Sequence, residues 1–93
     1  MEDAEDLHQR VHQIFEVVKV LMSEYYQDTV TILNDNGEHG VALEFIGDGL
    51  LASGKPISSE VFAKIEAAGR IMEVPEETWL GLRSLVEKGS ETS

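Results

Sequence analysis

The chain has 93 residues, 42% apolar and 27% charged, with eighteen Asp and Glu against seven Lys and Arg and a formal charge of −11 at pH 7. Charge of that sign repels phosphate backbones and anionic membrane surfaces and attracts basic proteins and divalent cations, so direct nucleic-acid binding and membrane association are not expected. With no cysteine there is no disulfide frame, no thiolate metal site and no thiol nucleophile, which fits a reducing, cytoplasmic setting.

A chain this long buries about 60 to 70% of the surface its unfolded form exposes, enough for one modest core. One domain over residues 1–93 is expected, with 1–5 and 90–93 flexible. The acidic opening Met1 to Asp6 does not read as a secretory signal, and no stretch is long and apolar enough to span a bilayer. From Leu7, the apolar positions Leu7, Val11, Ile14, Val18, Leu21 and Tyr25 alternate steps of four and three, one face of a long helix. Asp3, Glu5 and Asp6 stand at its start, where exposed amides and the helix dipole favour negative charge. Phe15, Val17, Val20 and Met22 widen the stripe beyond what a small sheet would cover. Val17, Val20 and Met22 are therefore expected to meet a second copy in a homodimer.

After Gln27 the period changes to two. Thr29 to Leu33 is rich in β-branched residues, Asn34-Asp35-Asn36-Gly37 tolerates positive φ, and alternation resumes from Val41 to Ile46; together these predict an antiparallel β-hairpin. The segment Gly47 to Pro56 predicts a loop. Ser58 and Ser59 offer N-cap oxygens to a short helix carrying Phe62 and Ile65. Gly69 either ends that helix, leaving 70–74 as a third strand, or lies inside a helix that continues to Val74. Pro75, Glu76 and Glu77 suit the start of a last helix with Trp79, Leu82 and Val86 inward and Lys88-Gly89 closing it. The expected fold class is α+β: a long N-terminal helix, the hairpin, and two C-terminal helices packed on the sheet.

Candidate chemistry is sparse. His8, His12 and Glu16 are spaced four and four, so on a helix they fall along one line and can bind a borderline divalent metal, with His39 the only imidazole left to complete a site. The alternative is that they border the apolar stripe and stay solvated. Gly49-Leu50-Leu51-Ala52-Ser53-Gly54-Lys55 resembles the phosphate loop of the P-loop nucleotide hydrolases up to its last position. There Pro56 replaces the Ser or Thr that would place a hydroxyl on magnesium, and the segment reads as a turn. Arg70 to Leu85 resembles the strand and first helix of ribbon-helix-helix DNA-binding proteins, yet brings Glu73 toward phosphates with only Arg70 basic beside it. No Ca²⁺ loop can be registered on Gly37 or Gly40, and no Ser, His and acid arrangement for nucleophilic catalysis is visible.

These observations lead to an expected function without catalysis or cofactor. The chain reads as a small acidic protein-binding or regulatory module, such as an inhibitor, immunity protein, chaperone-like adaptor or phage-encoded antagonist. It would engage a basic protein partner and could mimic the phosphate display of nucleic acid. The expected contact residues are Glu2, Asp3, Glu5, Asp6, Glu73, Glu76 and Glu77. The alternatives are a metal-binding homodimer through His8, His12 and Glu16, and a structural domain whose acidity serves solubility.

Overall fold

The computed structural model describes residues 4–87, and every regular element within them is helical. Helix α1 spans Ala4–Val18 and tightens into a 3₁₀ turn at Lys19–Leu21; α2 spans Glu24–Asp35, α3 His39–Ser53 and α4 Ser59–Met72. Helix α5, Glu77–Leu80, runs on as a 3₁₀ turn, Gly81–Leu85. Extended pairing among the described residues is limited to one parallel bridge, Ile57 with Val86, where the Ile57 N–H donates to Leu85 C=O at 2.9 Å and the Glu87 N–H to Ile57 C=O at 2.8 Å.

The expected α+β fold is thus overturned, and the β-hairpin over Thr29 to Ile46 is a helical hairpin of α2 and α3. Three local devices explain it. The hydroxyls of Thr29 and Thr31 donate to the carbonyls of Tyr25 and Gln27, at 2.8 and 3.0 Å, so both β-branched threonines satisfy their hydroxyls within the helix. Gly37, at φ +84°, is the left-handed residue that ends α2, with the Glu38 N–H bonded to Leu33 C=O and the Gly37 N–H to Asn34 C=O. That is the Schellman pattern, which needs the same glycine a tight strand turn would. In a strand, Val41, Leu43 and Phe45 would share one face; instead Leu43 is buried, Val41 exposed and Phe45 half-buried, while Ala42, Leu43, Ile46 and Leu50 repeat at helical spacing.

Residues 70–72 extend α4, so the third strand at 70–74 is also overturned and Gly69 is interior to the helix. Ser58 is the N-cap, its Oγ accepting from the Val61 N–H at 3.1 Å. The other end closes with Glu73 in the left-handed region at φ 58°. The resemblance to a phosphate loop fails here as well, because Gly49 to Ser53 are the last turns of α3 and Gly54 is their left-handed cap.

Helix α3 is the central element, packed against α1, α2, α4 and α5. Val11, Ile14, Phe15 and Val18 of α1 close on it with Val30, Ile57, Ile65, Ala68, Trp79 and Leu82. The apolar run of the first helix does not continue to Tyr25. The chain breaks after Leu21, Met22 enters the core, and Tyr25 begins α2 on the surface. No helix among the described residues is long and apolar enough to cross a membrane.

Candidate functional site

The first turns of α1, the last turn of α2 and the first turn of α3 meet around one amide. Asn34 Nδ2 donates to the His8 carbonyl at 3.1 Å, which turns its Oδ1 toward His39 Nδ1, 2.7 Å away. An acceptor there assigns the proton to Nδ1 of the neutral His39 ring. His39 is buried, and that burial, assisted by the neighbouring His8 imidazole, holds it below the ordinary histidine value. His8 lies edge-on to His39 at 6.0 Å between ring centroids and parallel to His12 at 6.2 Å, while its Nε2 is 3.2 Å from the Asp35 carboxylate. Three histidines separated by up to 31 positions thus come together at one junction.

A groove of about 360 Å³ runs from this junction between α1 and α2, past His8, His12, Glu16, Lys19, Asp28 and Asp35. The proposed metal ligands His8, His12 and Glu16 all face it, each already occupied. Glu16 is 3.1 Å from Lys19 Nζ and 3.9 Å from His12 Nε2, and His8 holds Asp35. Among the described residues no three His, Asp or Glu side chains are arranged to hold one ion.

The acidic contact residues expected from the sequence fall in two places. Glu2 and Asp3 lie outside the described residues. Glu5 and Asp6 open α1 one turn before His8, and Glu73, Glu76 and Glu77 surround the turn from α4 to α5. These regions approach the same end of the molecule, since His8 touches the start of α3 and a Cβ on Gly40 would lie 3.3 Å from Val74 Cγ1. Asp35 and Glu38 join that end from the α2–α3 turn. The sequence reading places Asp35 in a strand turn and gives Glu38 no role.

A second feature is legible in the sequence yet was missed. From Val20 to Gly54 there is no Lys or Arg, and the acids Glu24, Asp28, Asp35, Glu38, Glu44 and Asp48 are the only residues of fixed charge. That stretch is the whole α2–α3 hairpin. Four of the seven basic residues are engaged locally: Lys19 with Glu16, Lys64 with Glu60, Arg70 with Glu66 and over the Trp79 ring, and Arg83 over Phe62. Of the residues expected at a dimer interface, Val17 and Val20 are exposed, at 57% and 74%, whereas Met22 is buried at 5% and unavailable to a second copy.

Compared with known proteins, the chain matches no family model, no curated protein and no solved structure.

Proposed function

We propose that this protein is a non-enzymatic binding module whose partner is a basic protein surface, as an inhibitor, immunity protein or adaptor would be. The observation that supports this reading most is the α2–α3 hairpin, a continuous helical pair carrying six acids and no Lys or Arg. Local ion pairs cannot quench those carboxylates from within the hairpin, so their field projects outward. Such a field steers a cationic partner over about a Debye length, roughly 8 Å at physiological salt, and disfavours anionic ones. The acids gathered at the neighbouring end from α1 and the α4–α5 turn carry the same sign.

Capture from the source cell at low and high salt tests the reading. Recovery of a protein with an excess of Lys and Arg at about 50 mM salt, lost at about 500 mM, is the expected result. Recovery of acidic proteins, or of nothing, leaves solubility as the role of the charge.

A further inference from the structure

The α2–α3 hairpin carries exposed and half-buried apolar side chains interleaved with acids. Tyr26 bridges the two helices: its ring is 6.4 Å from Phe45, and a Cβ on Gly49 would stand 3.1 Å from its Cβ and Cγ. This fixes which flank of each helix faces the seam. At 100° per residue, Tyr25 and Ile32 share one line about 100–120° round α2 from Tyr26, and Val41 lies within about 40° of Phe45 on α3. Tyr25 is 67% exposed, Ile32 59% and Val41 39%, and Tyr25 meets Tyr26 edge-on at 5.2 Å. Asp28 lies beside the line of Tyr25 and Ile32 on α2, Asp48 shares the line of Val41 on α3, and Glu24 and Glu44 flank them.

From this arrangement we infer that the hairpin's outer face is a docking surface for a basic protein segment that presents apolar side chains between its lysines or arginines. The inference rests on the reading above and adds a location and an apolar requirement. Exposed Tyr25 and Ile32 beside half-buried Tyr26 and Phe45 resemble the centre of an interface, where aromatic anchors exclude water. The interleaved acids decide the occupant. A second copy would set acids against acids, and a neutral segment would leave the carboxylates uncompensated; a segment that alternates cationic and apolar side chains matches both features at once.

Two synthetic peptides of equal length and charge test this: one with Lys and Leu at helical spacing, one with every Leu replaced by Gln. Amide shifts of ¹⁵N-labelled protein at about 150 mM salt report where each binds. The Lys/Leu peptide is expected to move α2 and α3 amides around Tyr25, Ile32 and Phe45, and to bind at least about tenfold more tightly than the Lys/Gln peptide. The double variant Tyr25→Ser/Ile32→Ser, both exposed side chains, should erase that tenfold advantage while keeping the wild-type circular dichroism. Charge reversal by Glu44→Lys/Asp48→Lys should weaken both peptides. Equal binding of the two peptides, with shifts centred on Glu5, Glu38 and Glu73, would overturn the docking face and leave the acidic-binder reading standing. Binding of neither peptide even at about 20 mM salt would remove both.

Discussion

Gly69 lies in α4 directly beneath the ring of Trp79. A Cβ at that position would fall inside contact distance of Cζ3, 2.6 Å from Cε3 and 3.2 Å from Val74 Cγ2. Alanine is the better helix former by about 1 kcal/mol, but the buried indole cannot swing aside as an exposed chain end could. Overpacking wins, and Gly69→Ala should lower stability by about 1–3 kcal/mol in urea unfolding. The indole N–H has no acceptor among the described residues, so Trp79 holds its place by packing. His39 supplies a pH-dependent term. Its folded pKa lies below the ordinary 6.5, so as pH falls below about 6.5 the unfolded chain takes up a proton that the folded chain resists. Stability falls with it until the folded ring also titrates, by at most about 1.4 kcal/mol per pH unit, and this histidine contributes no slope above that window. His39→Asn keeps an N–H near Asn34 and removes the titration. The stability difference between wild type and variant should shrink from pH 7.5 to pH 5.5; a constant difference would show that the ring is not held neutral.

At the scale of elements, helix ends determine the topology. Two ends use glycine, Gly37 and Gly54, in left-handed backbone, while α4 ends on Glu73 with φ 58°. The Val74 N–H bonds to Gly69 C=O at 3.0 Å and the Glu73 N–H to Arg70 C=O at 3.3 Å, the same closing pattern that ends α2. A residue with a Cβ pays about 1–2 kcal/mol there, and glycine returns part of the gain through the freer unfolded chain. Glu73→Gly should therefore stabilise by about 0.5–1 kcal/mol, seen as a higher urea midpoint with an unchanged slope. A lower midpoint would mean that the carboxylate makes a contact worth more than the strain. The helical hairpin also shows why the period-two reading failed. Thr29 to Leu33 is too short to separate a strand from one helical turn, and the decisive evidence lay in the flanks. Tyr26, Val30 and Leu33 line the inner side of α2, and Ala42, Leu43, Ile46 and Leu50 that of α3.

For the whole molecule, a charge of −11 opposes bringing two copies together through their acidic hairpins. Any homodimer belongs instead to the edge where Val17 and Val20 stand exposed. There Ile14, Val17 and Val61 line a shallow groove with Glu60 and Lys64 beside it, so both signs of charge are available to a self-complementary pair. Val20→Glu should shift a dimer toward monomer in sedimentation at about 100 μM protein, and a wild type that already sediments as a monomer removes the dimer. The sequence alone carried the acidity, the amphipathic stripe of α1, the Ser58 cap and the inward Trp79 and Leu82, because each depends on residue type and spacing within a few turns. Only the tertiary structure decided that the middle of the chain is helical, that Met22 and His39 are buried, and that Asp35 and Glu38 join the acids of α1 and of the α4–α5 turn. Those outcomes depend on which face of each segment finds an apolar neighbour, and α3, covered on several sides at once, has too little polarity contrast along its length for any local period to disclose it.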